Sequence, residues 1–334
     1  MNILITGGAG FIGSSLSKHL INSGHSISVI DNLTTGSYSN IKDLVHNNTN
    51  FKFYHFTIGI DKNPLLDELV RECDVVVHLA ATVGVKNVIE NCYHTIINNI
   101  AATEEVLEYC KLYRKKCFIA STSEVYGKNT NVLAETDDIT FGSPYKNRWS
   151  YAVSKLIDEF LALDLYKKYD LPLSIFRFFN VSGPGQVSEY GMVIPKFINQ
   201  MLNDKDITIF GDGKQTRCFT HILDVCDIIE KVITGKTKES PFGKIINIGS
   251  PQEVSILELA TFIKMLQHNK SILCFNQEKI AYSNDFEDMQ RRFPDVSNLF
   301  KILGSEYKFI DWKETVSDAY FWKVNKNGNS NNRI

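Results

Sequence analysis

An α/β fold built on a doubly wound parallel sheet is predicted by three features of the 334-residue sequence. Short apolar runs alternate with helix-length amphipathic stretches over the first half. The runs are continuously apolar, as strands buried on both faces require. The first run ends in a glycine-rich turn that opens a helix. Strands are expected at 2–6, 26–30, 51–56, 75–79, 117–120 and 173–178, with helices at 11–23, 64–72, 96–113 and 150–169. After about residue 180 the rhythm changes. A loop at 182–186 leads to a short helix from Ile194, a strand at 208–210 and the turn Gly211-Asp212-Gly213. A helix from about Leu223 and a strand at 244–248 come next. Ser255 with Glu258 three residues on reads as a capping box for a helix through Leu266. The predicted organisation is a domain at 1–178, a smaller α/β region at 179–324 interleaved with it, and a disordered Asn/Lys/Gly/Ser-rich tail at 325–334.

Composition narrows the function. Apolar residues make up 43% and charged residues 22%, an ordinary globular mixture. Thirty-six basic against thirty-eight acidic residues leave a net charge of −2, without the basic surplus of a nucleic-acid binder. No apolar run approaches the ~18 residues of a membrane span, and the chain enters its first strand without a signal sequence. Seven scattered cysteines with no C-x-x-C suit reduced thiols, so a cytoplasmic protein is expected. The eight histidines show no metal-ligand spacing, and no metal is expected.

The turn Thr6-Gly7-Gly8-Ala9-Gly10-Phe11-Ile12-Gly13 stands where backbone amides and a helix N-terminus can hold a pyrophosphate. Gly7 allows the tight turn, Gly10 lets a phosphate approach, and Gly13 lets helix and strand pack closely. No Lys-Ser/Thr comes after it, which excludes a nucleotide-triphosphate loop. Asp31 closes the second strand, next to Asn32, where its carboxylate accepts from ribose hydroxyls and repels a 2′-phosphate. The fold is therefore of the Rossmann type, and NAD is favoured over NADP.

Tyr-x-x-x-Lys occurs twice, at Tyr38/Lys42 and Tyr151/Lys155. The second pair lies one turn apart on a predicted helix, and the fifth strand ends in Ala120-Ser121-Thr122-Ser123-Glu124 at the cofactor crevice. An ammonium beside a phenol lowers its pKa, which makes Tyr151 a candidate acid–base group. Tyr38/Lys42 has no such hydroxyl run and reads as surface.

The glycine turn, Asp31, His78-Leu79-Ala80-Ala81, the Ser-Thr-Ser run and Tyr151/Lys155 resemble the extended short-chain dehydrogenase/reductase superfamily. More narrowly the chain resembles the NAD-dependent nucleotide-sugar epimerase/dehydratase family, from Met1 to about residue 323. The second half of the resemblance is carried by Phe179-Asn180-Val181-Ser182-Gly183-Pro184, Gly211-Asp212-Gly213-Lys214-Gln215-Thr216-Arg217 and Arg291-Arg292-Phe293-Pro294-Asp295. The resemblance implies an NAD-binding domain at 1–178 and a mainly nucleotide-sugar-binding one at 179–324. It also implies that Asn180, Arg217 and Arg292 bind a UDP-sugar, and that helices 96–113 and 150–169 pair in a homodimer. The arginine forks suit phosphate oxygens.

The family's shared first step would have Tyr151 take the sugar 4-hydroxyl proton, with Thr122 or Ser123 hydrogen-bonded to the reacting oxygen and Lys155 beside the phenol. The later steps divide the family into 4-epimerases, decarboxylases and dehydratases. A dehydratase needs a base beside C5, and Glu124 is placed for it. The Ser-Glu here departs from the Asp-Glu of 4,6-dehydratases. Thr-Ser-Glu and Arg148-Trp149 also resemble UDP-glucuronate decarboxylases. Many of those carry an arginine in the loop after Gly-Pro, whereas none occurs here between Arg177 and Arg217, and the loop ends Glu189-Tyr190-Gly191-Met192. The reading favours dehydration of a UDP-hexose or UDP-N-acetylhexosamine, including 5,6-dehydration of UDP-N-acetylglucosamine, with decarboxylation and 4-epimerisation open. A non-catalytic NAD-binding sensor is the reading of a different class; it does not account for the retained Tyr/Lys pair.

Overall fold

The structure, a computed structural model, describes every residue except 61, 85–87, 89, 189–190, 268–269, 277–288 and 332–334. Its centre is a seven-stranded parallel sheet. The strands are β1 (Asn2–Thr6), β2 (Ser26–Asp31), β3 (Phe51–His55), β4 (Val75–His78), β5 (Lys116–Thr122), then, past the short β6 (Val132–Leu133), β7 (Leu173–Phe178). The seventh is supplied by a later segment. After β8 (Val181–Ser182), β9 (Ile207–Phe210), β10 (Thr216–Cys218) and β11 (Thr220–His221), the chain returns to the sheet as β12 (Ile245–Ile248). The spatial order is β12-β7-β5-β4-β1-β2-β3, so the direction of winding reverses between β1 and β4. In such sheets the crevice outside the carboxyl ends at this switch point is where ligands bind.

The continuous apolar runs have a direct packing reason. Successive side chains of a strand point to opposite faces. Ile3, Ile5, Val75, Val77, Phe118 and Phe176 enter one apolar cluster, with Leu16 and Leu20 of the Phe11–Asn22 helix and Val225 and Ile229 of the Ile222–Thr234 helix. The intervening Leu4, Val76, Cys117, Ile119 and Ile175 enter a second cluster on the other face. They meet Leu66 and Val70 of the Pro64–Glu72 helix, Val106 of the Cys92–Tyr113 helix and Ala162 of the Trp149–Tyr169 helix. A polar residue at any of these positions would be buried, whichever face it took.

The second half builds a smaller lobe around Ile194, Phe197, Ile198, Met201, Ile207, Ile209, Leu259 and Ile263. Its helices span Val193–Leu202 and Ile256–Met265, and the latter begins with the predicted capping box, Ser255 and Glu258 exchanging hydrogen bonds. Three further strands belong to this half: β13 (Glu253–Ser255), β14 (Leu273–Asn276), which runs parallel beside β9, and β15 (Arg291–Pro294). A four-stranded sheet has the order β13-β10-β15-β6. Thus β6 from the first half completes the small sheet, while β12 from the second half completes the large one.

Two expectations need correction. The helix read as 96–113 starts earlier, at Cys92, because its polar first turn carries no apolar periodicity although Thr95 is buried. The last helix runs Trp312–Asn331, through most of the segment read as a disordered tail; residues 332–334 lie outside the described residues. Buried Val316, Ala319 and Tyr320 fix the start of that helix. Once nucleated, each further residue adds a backbone hydrogen bond at little cost, whatever its polarity. Among the described residues no helix is long and apolar enough to cross a membrane, and all seven cysteines are free.

Candidate functional site

Every site residue expected from the sequence lines one cleft of about 1130 Å³ at the carboxyl ends of β1, β4, β5 and β7. At one end is the glycine turn. Gly7 has φ +71°, and a Cβ there would lie 2.8 Å from the Ala80 amide nitrogen. A Cβ on Gly13 would lie 2.4 Å from the Gly7 carbonyl oxygen, so only glycine lets the helix begin this close to the turn. Gly10 is the N-cap and supplies no side chain to the first-turn amides, which stay available to an anion beside Phe11 and Ile12.

Asp31 is buried at the end of β2, and its carboxylate binds the turn itself. Oδ2 accepts from the Ala9 amide at 2.9 Å, and Oδ1 from the Leu33 amide at 2.7 Å. Each oxygen retains acceptor capacity toward the cleft, where Asn32 lies beside it. A Cβ on Gly36 would stand 3.0 Å from both carboxylate oxygens. The space before Asp31 is therefore kept clear by a missing side chain, which suits a ribose diol. A carboxylate facing a 2′-phosphate at about 4 Å loses on the order of a kcal/mol even in a high dielectric. Calorimetry should accordingly show NAD bound roughly tenfold or more tighter than NADP, with Asp31→Ala narrowing the gap. Equal affinities in the unaltered protein would exclude this role.

Leu79, Ala80 and Ala81 form the next wall. They are held by polar anchors: Thr6 Oγ accepts from the Ala80 amide at 3.2 Å, and Asn99 Oδ1 from the Thr82 amide at 2.7 Å. His78 lies buried behind them, hydrogen-bonded to Thr6 at 2.7 Å and to Thr103 at 3.2 Å. Burial and the nearby Lys155 charge push its pKa down to about 3, so the ring is neutral.

Tyr151 and Lys155 stand in the first two turns of the Trp149–Tyr169 helix, facing Thr122 at the end of β5. Thr122 hydrogen-bonds the Tyr151 phenol and accepts from the Glu124 amide at 3.2 Å, which starts a tight turn, Ser123–Tyr126. The electrostatics differ from the sequence expectation. The Tyr151 pKa is raised rather than lowered, first by burial and then by the negative charges of Glu124 and Asp158. The Lys155 ammonium is engaged elsewhere, donating to Asp158 Oδ2 at 2.7 Å. The other pair behaves as read: Tyr38 and Lys42 lie on the surface.

Glu124 also departs from its expected part. Its Oε1 accepts from Arg292 at 2.5 Å and its Oε2 from Arg148 at 3.2 Å. Burial favours the protonated acid, but the two guanidiniums outweigh it and hold the pKa at about 2. Such a carboxylate is a weak base at neutral pH. The loop between Arg177 and Arg217 has no arginine; the cations beside Glu124 are Arg148 from the helix start and Arg292 from β15. Glu189 and Tyr190 of that loop lie outside the described residues.

Arg217 and Arg292 are register partners on adjacent parallel strands, both nearly buried, so two guanidiniums share one wall of the cleft. Arg292 is paired with Glu124, and Arg217 donates to the Thr216 carbonyl at 2.7 Å. Asn180 adopts a left-handed backbone (φ +28°), and its amide donates to the Cys218 carbonyl at 3.1 Å, tying β7's end to β10. Sequence reasoning missed Arg148 as a partner of Glu124, Asp158 as the partner of Lys155, and Lys196, which lines the cleft 4.3 Å above the Phe210 ring. Among the described residues no group of His, Cys, Asp and Glu has metal-binding geometry.

A family model described as the NAD dependent epimerase/dehydratase family matches residues 3–249. The UDP-N-acetyl-alpha-D-glucosaminuronate decarboxylase of Bacillus cytotoxicus is 40% identical over 320 residues, 96% of either chain. The dTDP-D-glucose 4,6-dehydratase of Dictyostelium discoideum is 38% identical over 270 residues, 77% of this chain and 60% of that one. Among solved structures, the UDP-glucuronic acid 4-epimerase of Bacillus cereus in complex with UDP-glucuronic acid and NAD superposes with TM-score 0.83. It is 30% identical, over 98% of this chain and 100% of that one.

Proposed function

The chain belongs to the NAD-dependent epimerase/dehydratase family, and from that premise we propose that it decarboxylates a UDP-sugar carrying a carboxylate at C6, by way of a transient 4-ketone. NAD, the family's cofactor, takes up the C4 hydride when bound and returns it. The chain's own groups supply the rest. The glycine turn and Asp31 hold the dinucleotide, and Asn180, Arg217 and Arg292 hold the sugar nucleotide. Tyr151 accepts the proton of the sugar 4-hydroxyl while the Thr122 hydroxyl orients that oxygen. The ketone then stands β to the C6 carboxylate. The C5–C6 bond breaks, its electron pair passes into the C4–C5 enolate, and carbon dioxide leaves. A solvent proton adds at C5. Tyr151 gives its proton back to O4 as the ketone is reduced.

The observation that carries this reading is the Arg148–Glu124–Arg292 cluster. It has two positive charges to one negative, at the place where the sugar ring would lie. A carboxylated C6 is attracted there, and loss of carbon dioxide from a β-keto acid needs no base. Dehydration does need one, and Glu124 is held at about 2 by its arginines. Dehydration is the second reading, favoured by the position of Glu124 directly after Thr122 and Ser123. It requires both arginines to leave the carboxylate when substrate binds.

The test is incubation with UDP-glucuronate, UDP-N-acetylglucosaminuronate, UDP-glucose and UDP-N-acetylglucosamine, then mass spectrometry. The expected result is loss of carbon dioxide from a uronate; loss of water from a neutral sugar would overturn it, and unchanged mass with altered chromatography would mean epimerisation. Glu124→Gln separates the readings further. A decarboxylase should keep its turnover within roughly tenfold, whereas a dehydratase deprived of its C5 base should lose ~10²-fold or more.

We also assign the dinucleotide to a domain at 1–178 and most sugar-nucleotide contacts to 179–324. A cytoplasmic homodimer fits the Cys92–Tyr113 and Trp149–Tyr169 helices, which leave Tyr93, Ile97, Leu112 and Phe160 exposed. Sedimentation as a monomer at micromolar concentration would remove the dimer.

A further inference from the structure

Strand β12 carries one polar side chain, between Ile246 and Ile248, and no step of the proposed reaction uses it. Asn247 is fully buried and stands outside the lining of the cleft. A buried amide is costly unless its hydrogen bonds are met, and here different segments of the chain meet them. Nδ2 donates to the Leu133 carbonyl at 2.8 Å and to the Asp295 carbonyl at 3.0 Å. Oδ1 accepts from the Tyr126 hydroxyl at 2.7 Å. The backbone amide of the same residue donates to Glu135 Oε1 at 2.9 Å. Two carbonyl oxygens can face only the NH2 end, so the side chain has one orientation. The segments it joins belong to both sheets. Asn247 stands in the large sheet, Leu133 ends β6 of the small one, and Asp295 directly follows β15. Tyr126 closes the Ser123–Tyr126 turn. Glu124 lies in that turn, and Arg292, its partner, lies on β15.

We propose that Asn247 is a positioning residue: it sets Arg292 against Glu124 across the two sheets, and so fixes the charge that the cleft presents to the sugar. It touches neither group. It acts through Tyr126 on the side of the carboxylate and through Asp295 on the side of the guanidinium. The ladders that hold β15 are short. Phe293 and Pro294 pair with Val132 and Leu133 of β6, and Arg291 and Arg292 with Thr216 and Arg217 of β10. The amide adds a tie where β15 ends. The inference rests on the reading of the Arg148–Glu124–Arg292 cluster as the place of a sugar carboxylate. With Arg292 in position the cluster holds two positive charges and one negative. With Arg292 drawn off, Arg148 and Glu124 cancel, and a carboxylated sugar loses its advantage over a neutral one.

Asn247→Leu removes the side-chain ties and adds no charge. Tyr126→Phe removes only the hydroxyl bond, and decides alone should Asn247→Leu not fold. The readout is the ratio of calorimetric affinities for UDP-glucuronate and UDP-glucose. It is taken on protein saturated with NADH, which cannot accept the C4 hydride, so neither sugar turns over. The wild-type preference for the uronate should fall about tenfold in Asn247→Leu and about threefold in Tyr126→Phe, with NADH affinity within about twofold. Adding Glu124→Gln to either variant should restore the preference, because it leaves the Arg148 charge unopposed. An unchanged preference would overturn the proposal, even with a lowered melting temperature, because a merely structural amide predicts that outcome. A loss that Glu124→Gln does not restore would overturn it too, as the mark of a general disturbance of the site. A wild type with no preference for the uronate would overturn the reading of the cluster, and this inference with it. A preference present in the wild type and kept in the variants overturns this inference alone.

Discussion

Tyr151→Phe should lower turnover by ~10²-fold or more while leaving NAD affinity within about twofold. The substitution removes one oxygen and keeps the ring, so the packing of the Trp149–Tyr169 helix against β5 is preserved. The lost oxygen is the only phenolic one among the described residues lining the cleft, so none of those residues offers a second phenol in its place. The cofactor contacts proposed above lie mainly with the glycine turn, Asp31 and Lys155, and the substitution leaves those residues and the Tyr151 ring in place. Turnover measured by mass spectrometry and NAD binding measured by calorimetry give the two numbers. Near-normal turnover would mean that the proton is carried elsewhere. A parallel collapse of NAD affinity would mean that Tyr151 serves binding rather than chemistry.

The range of each interaction decided whether the sequence revealed it or hid it. The large sheet was legible because each of its first six strands centres on a local apolar run, packed on both faces of the sheet. The glycine turn was legible for the same reason. Gly7 and Gly13 answer to contacts within a few residues or with the adjoining strand. Tyr151 and Lys155 were found because one helical turn is a fixed spacing. The charges around them were not, since a motif names the groups and says nothing of which other groups neutralise them. Asp158 sat three residues from Lys155 in plain view, but a charged residue on a helix ordinarily faces water. Glu124 met Arg148 and Arg292 from two different elements, and no pattern in the chain reports a pairing between β15 and the turn after β5. The small lobe was hidden for a related reason. Its sheet joins strands of two to four residues drawn from both halves of the chain, too short for any periodicity to announce them.

The largest effect on stability should come from the pair beneath the site. Glu159 lies two turns along the helix from Tyr151 and receives a fork from Arg177 on β7, at 2.9 and 2.7 Å. Ser121, at the end of β5 next to Thr122, donates to the same carboxylate at 2.5 Å. Both charged side chains are 3% exposed, so neither can turn to water if its partner is lost. Glu159→Ala would leave Arg177 with the Glu135 carbonyl at 3.4 Å and the Tyr126 ring 4.6 Å away, which do not replace a carboxylate. The expected cost is about 3–5 kcal/mol, the penalty of an uncompensated buried charge. Urea unfolding should show the midpoint falling with the slope unchanged. Replacing both partners, as Glu159→Leu with Arg177→Met, removes the charges together and should recover most of the loss, because apolar groups of similar volume bear no desolvation penalty. Activity should keep the same order, since this pair clamps the helix bearing Tyr151 and Lys155 to the sheet that carries Thr122. A cost below about 1 kcal/mol for Glu159→Ala, the range of exposed pairs, would show that water reaches the guanidinium and that the clamp lies elsewhere.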